Sequence, residues 1–311
     1  MLSAQAPAAV VMVRPHHFTS NPQTLGDNGF QSKDTRNPSE ISSLARAEFD
    51  GMVSKLRNAG ITVHDFDDTG TATPDSVFPN NWFSTHTGGH LAVYPMFPEN
   101  RRLERRWDII ETLKTEYRVQ DVIDFSGLEQ DGVFLEGTGA MVLDHIFRVA
   151  YTVQSNRADP VILERFCTHF NYEPMAFAAA DNSGTSVYHT NVLMTVGTGY
   201  ALICDAMITD HDRRAQVMQR LAEGGRDVIS LTHDQIDNFA GNAFELSGND
   251  GLILALSETA FNALTPSQLN RIEQHATPLP LAVPTIETAG GSVRCMLAGV
   301  HLARRPEQKA P

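Results

Sequence analysis

Five times along its 311 residues this chain runs through the same order of elements. Two short apolar segments flank a turn, an amphipathic stretch at helical spacing follows, and a further apolar segment closes the unit. A repeat of roughly 50 to 60 residues cannot bury its own apolar face, so the copies must pack on one another. The first copy reads as a strand from Ala9 to Arg14 and a helix from Ser39 to Asn58, with Ile41, Leu44, Ala45, Phe49, Met52 and Leu56 inward. Gly60 stops that helix and a strand runs from Ile61 to Phe66. In the second, Trp82 to His86 and Leu91 to Tyr94 flank Gly88-Gly89, Leu103, Trp107, Ile110 and Leu113 form a helical stripe, and Val119 to Phe125 is a strand. The third pairs Ala140 to Leu143 with Ile146 to Val153 and opens a helix at Asp159-Pro160, where Asp caps and Pro fits the first turn. The fourth has strands from Asn191 to Val196, Gly199 to Cys204 and Asp227 to Leu231 around a helix ending at Gly224-Gly225. The fifth has Ala243 to Leu246, Gly251 to Ser257 and a capping box at Thr265-Pro266-Ser267-Gln268, and a final strand runs from Cys295 to Leu302. Repetition of this kind predicts a closed, radially repeated α/β propeller whose loops converge on the axis; an open α/β sheet is the alternative.

Composition narrows the partner. Lys+Arg 24 against Asp+Glu 37 gives a net charge of −13, and without a basic patch such a chain repels nucleic acid and anionic membrane. A small-molecule partner is expected, with no nucleic acid and no membrane, and homo-oligomer formation is left open. The stretch from Met1 to Pro7 has no signal-peptide character and no later run reaches the roughly 20 apolar residues of a membrane span, so a cytoplasmic location is expected. Three cysteines, at 167, 204 and 295, fit neither a disulfide framework nor a cysteine-rich metal site.

Cys295 is the candidate nucleophile. It follows Gly290-Gly291, which leaves the approach free of bulk, and Arg294 beside it favours a thiolate. Glu136, between Phe134-Leu135 and Gly137-Thr138-Gly139, and His189, in Tyr188-His189-Thr190-Asn191, occupy comparable strand-to-turn places in other units. A His can protonate a leaving nitrogen and a carboxylate can hold a substrate cation. Cys167 and Cys204 read as core residues. His86 and His90 read as turn histidines and His16-His17 as non-convergent, so no metal site is predicted. Asn242 and Glu245 open the fifth unit's strand as lesser pocket candidates, and residues 21–37, rich in Gly, Asn, Asp and Ser, form either a lid or a plain surface loop.

The order Phe-x-x-Asn, Leu-Glu-Gly, Ser-x-Arg, His-x-Asn and Gly-Gly-x-x-Arg-Cys-Met, running from Ala9 to Leu302, resembles the guanidino-group modifying superfamily of arginine deiminases, dimethylargininases and amidinotransferases. The resemblance implies a five-bladed α/β propeller, the pentein fold, of ββαβ units with pseudo-fivefold symmetry. It spans 1–311 as one domain, with a catalytic core over 9–302. It also implies chemistry without metal or organic cofactor: Cys295 forms a covalent adduct, His189 is general acid and base, and Glu136 holds the substrate nitrogens. By the same carry-over Arg157 of Ser155-Asn156-Arg157, and Arg101 of the Arg101-Arg102 pair, clamp a substrate α-carboxylate, and Asp75 places the polar end. The departures are Asn81 and Asn191, where arginine deiminases carry Asp, and Gly139, where many members carry Asp. A carboxamide both donates and accepts, which suits a neutral urea better than a guanidinium. The expected reaction is therefore hydrolysis of citrulline to ornithine, ammonia and carbon dioxide. The alternatives are an arginine deiminase or dimethylargininase, and a non-catalytic propeller that only binds.

Overall fold

A computed structural model describes residues 4–32 and 34–306. Residues 1–3 of the segment read for targeting, and residue 33 of the 21–37 segment, lie outside the described residues. The described chain forms five sheets of three strands each. The second to fifth are Phe83–His86, His90–Val93 and Asp121–Asp124; Met141–Asp144, Val149–Val153 and Glu173–Phe177; Met194–Val196, Tyr200–Ile203 and Asp227–Ser230; and Phe244–Gly248, Gly251–Ser257 and Thr277–Leu281. In each, the middle strand runs antiparallel to the first and parallel to the third. A parallel pair needs a crossover, and the helical stretches supply it.

The first sheet is assembled differently. Its middle strand Ala9–Pro15 pairs in parallel with Thr62–Asp68, but its antiparallel neighbour is Ala298–Gly299 from the far end of the chain, with Val10 opposite Gly299. The two ends are thus tied into one sheet. The predicted final strand from Cys295 to Leu302 is shorter than expected, because Val293–Met296 winds into a helical turn and only Ala298–Gly299 joins the ladder.

Local chemistry explains the helices. The Asn37 side chain caps Pro38–Asn58 by accepting from Ser39 N–H, and Gly60, at φ +90, supplies the left-handed turn that ends it. Asp159 caps Pro160–Phe170 in the same way, and Thr265 with Gln268 forms the capping box of Pro266–Glu273. The predicted stripe in the second unit is corrected: Leu103 and Trp107 are 64% and 53% exposed. The chain there breaks into Glu99–Arg102 and Trp107–Glu116, because Arg101 and Glu104 turn inward together and leave Leu103 outside. His86 is likewise no turn histidine but lies buried against Phe170, ring centroids 4.3 Å apart.

Candidate active site

Each unit carries a short turn immediately before its first strand, and these turns converge. They hold Asn81, Gly139, Asn191, Asn242 and Cys295. Nδ2 of Asn191 and Nδ2 of Asn242 each donate to the Cys295 sulfur at 3.3 Å, and Asn242 also donates to the Asn191 carbonyl at 3.0 Å. A Cβ on Gly139 would stand 2.1 Å from the Asn81 amide and 2.8 Å from His189 Nδ1. A side chain at this position would have to displace the Asn81 amide or the His189 ring.

The pocket is lined by Asp75, Asn81, Arg101, Arg157, His189 and Cys295, together with Thr24 and Asn28. Glu136 stands behind it, fully buried, with Oε2 2.8 Å from His189 Nε2. That bond fixes the tautomer with the proton on Nε2. Burial alone would raise the Glu136 pKa, but Arg157, His189 and Arg101 outweigh it and bring it down to about 2. Burial lowers the pKa of His189 more than Glu136 raises it, so the resting pair is a carboxylate beside a neutral imidazole. Other bonds lace the segments together. Tyr188 Oη donates to the Gly290 carbonyl at 2.7 Å, joining the His189 segment to the Cys295 turn, and Ser155 Oγ donates to the Tyr188 carbonyl at 2.8 Å.

The two arginines expected to be open clamps are already engaged. Arg101 is a fork onto Glu104, with Nε 3.0 Å from Oε1 and Nη2 3.0 Å from Oε2, and it lies near Asp75 and Glu136. Asn81 turns its carbonyl oxygen to the same guanidinium, 2.8 Å from Nη1 and 3.0 Å from Nη2. Arg102 instead points outward, donating to the Met96 and Phe97 carbonyls. Arg157 stacks over Tyr188 and pairs with Asp27 on two nitrogens, its Nε 2.9 Å from Oδ2, while Nη1 reaches Glu136 at 3.5 Å. Four carboxylates thus share two guanidinium groups. Burial, opposed by Arg101 but reinforced by Asp75 and Glu136, pushes Glu104 up to about 8, and burial also raises Asp75.

Residues 21–28 pack over this chamber. Asn21 Nδ2 donates to Asp75 at 2.7 Å, Asp27 holds Arg157, and Asn28 reaches the Gly290 region. The free volume beneath is about 20 Å³, room for one or two waters and too little for an amino acid. Two buried acceptors in or beside the pocket, Asp75 Oδ1 and Asn191 Oδ1, have no partner among the described residues.

Sequence reasoning did not find Asp27, Glu104 or Tyr188. Glu104 carried a signal, three residues after Arg101 on one helical face; Asp27 carried none, since its contact spans 130 residues. Asn242 deserved a higher rank, because the Asn-before-strand pattern of Asn81 and Asn191 recurs there. Glu245 is not in the pocket; it accepts from Thr198. Cys167 and Cys204 are buried in the core.

The family described as N,N dimethylarginine dimethylhydrolase, eukaryotic, matches residues 14–302. No curated protein matches. Among solved structures, the N-terminal domain of ArgZ, an arginine dihydrolase from the ornithine-ammonia cycle in cyanobacteria, aligns with a TM-score of 0.71 at 17% identity, covering 94% of this chain and 97% of that one. AgrE aligns at 0.72 and 18% identity over 96% of this chain but 40% of its own. A dimethylarginine dimethylaminohydrolase aligns at 0.60 and 12% identity, over 96% and 99%. The chain belongs to the N,N dimethylarginine dimethylhydrolase family of the guanidino-modifying pentein superfamily, and is a hydrolase of non-peptide C–N bonds.

Proposed function

We propose that the five sheets are the blades of a five-bladed propeller forming one domain, and that the pocket on its axis hydrolyses citrulline. The observation that carries the substrate assignment is the contrast in charge: the Cys295 sulfur is contacted by two neutral amides, while Glu136 is already held by His189 and two arginines. A guanidinium placed at the sulfur would lack a counter-charge there, at a cost on the order of 3 to 5 kcal/mol. A ureido group has no such need, and its N–H groups suit the unpartnered Asn191 Oδ1.

In this reading neutral His189 takes the Cys295 thiol proton, and the sulfur attacks the ureido carbon. The bond to the δ-nitrogen breaks as His189 returns the proton to it, releasing ornithine and leaving a carbamoyl thioester on Cys295. Water, deprotonated by His189, adds to that carbon, the C–S bond breaks as His189 returns the proton to the Cys295 sulfur, and the carbamic acid released decomposes to ammonia and carbon dioxide. Glu136 keeps the His189 ring oriented and stabilises its cationic form. Asp75 Oδ1 receives the substrate's α-ammonium, and Arg157 receives the α-carboxylate as Asp27 withdraws with its segment. Arg101 acts through Asn81 and Asp75.

A second reading, hydrolysis of a guanidino group as in arginine or a methylated arginine, is favoured by the family match and by the activities that the related structures carry. Both readings share the Cys295 adduct. The test is product stoichiometry: the protein should release equimolar ornithine and ammonia from citrulline, and Cys295→Ser should abolish both while keeping the circular dichroism spectrum. Undiminished release by the serine variant would overturn the covalent route.

A further inference from the structure

A second enclosed space lies between the sheets, and none of its lining residues lines the pocket of Cys295. All five sheets contribute to it through their first strands, from Phe83, Val142, Met194, Phe244 and Ala298. Its volume is about 30 Å³, sufficient for one or two species the size of water. Into it faces Arg294, part-buried, with no carboxylate in ion-pairing range among the described residues, whereas the buried Arg101, Arg157 and Arg226 each have one. One guanidinium nitrogen donates to the Leu297 carbonyl at 2.8 Å and the group lies 4.1 Å from the Phe244 ring centroid. Its other nitrogens have no acceptor among the described residues.

The rest of the lining has the same polarity. The rings of His145 and His301 stack at 4.0 Å, and among the described residues no Asp or Glu lines the space. The hydroxyls are spent elsewhere: Thr85 on the Gly299 carbonyl, Thr195 on those of Gly241 and Ala243. Burial holds both imidazoles well toward neutrality, His301 at about 4. A part-buried cation without a counter-charge is conspicuous in a chain carrying 37 acidic against 24 basic residues.

We propose that this cavity binds a small inorganic monovalent anion of the halide class, held by the Arg294 guanidinium alongside the stacked His145 and His301 rings. The site is separate from the hydrolytic reading and stands whichever substrate that reading ends with. Occupancy would also neutralise the charge carried one residue before the nucleophile candidate.

The test uses the full chain in halide-free buffer, titrated with sodium bromide or with sodium gluconate, whose anion is too large for the cavity, at matched ionic strength. Bromide should raise the melting temperature with the logarithmic concentration dependence of a single site, by a few degrees at a hundredfold excess over Kd, and gluconate should not. Arg294→Met should remove the bromide-specific rise. If that variant does not fold, His301→Phe, which fills the space and keeps the guanidinium, must remove it instead. Anomalous scattering from bromide-soaked crystals should place a peak between Arg294 and His145. Equal responses to the two salts, a bromide response that survives in a folded variant, or no peak at Arg294 would overturn the proposal.

Discussion

Around Glu136 the polar groups are mostly ionisable side chains that contact one another, whereas the polar atoms in hydrogen-bonding contact with the Cys295 sulfur are carboxamides. The charged end holds Asp27, Asp75, Glu104, Glu136, Arg101 and Arg157 in one network. The sulfur end offers Asn191 and Asn242. Buried charges are tolerated only when paired, so on the proposed reading the first end orients groups and recognises a zwitterionic amino acid by exchange of partners. Neutral amides cost less to bury and can meet either polarity, so the second end suits a reacting group without formal charge.

The largest expected effect breaks the charged end. Glu136→Gln keeps a contact to His189 but removes the charge, and should lower kcat by about 10²- to 10⁴-fold. Activity within a few-fold of the parent in a steady-state assay would show that the carboxylate is only structural. Next, a charge can be carried to the other end. Asn191→Asp should move the arginine-to-citrulline ratio of kcat/KM toward arginine by about tenfold or more, ~1.4 kcal/mol. Asn81→Asp should move it less, because Asn81 already faces the Arg101 guanidinium, which would absorb the new charge. Equal shifts would contradict this ranking.

The smallest effect is on stability. Glu104 has its pKa raised in the fold from 4.5 to about 8. The folded state therefore binds the proton more tightly, and the associated stability is complete below pH 4.5 and lost as pH rises through about 8. Glu104→Gln should flatten that part of the decline in a urea-unfolding series across this range, whatever it does to absolute stability. An unchanged slope would mean that Glu104 titrates normally.

Much of the fold was legible because its signals are local. Asp159-Pro160 and the Thr265 to Gln268 box announce helices through side chains one turn away. The pairing of Val10 with Gly299 has no local signal, so the strand that completes the first sheet was read as a long final strand instead. Leu103 and Trp107 fit a helical stripe, but the inward turn of Arg101 with Glu104 decides which face is buried there. In the site, Cys295, His189 and Glu136 were legible from motif, and the structure places His189 against Glu136 and sets His189 and Cys295 in one pocket. What was not legible is who neutralises whom: the expected carboxylate clamps, Arg101 and Arg157, are occupied by Glu104 and by Asp27 from across the chain.

On the proposed reading, a neutral sulfur end set against a self-paired charged end selects a neutral reacting group. The most direct test of that selection is kcat/KM of the unmodified protein for citrulline and for arginine, measured side by side through ornithine release. Citrulline should be preferred by about a hundredfold or more. Arginine turned over as well as citrulline, or better, would contradict it.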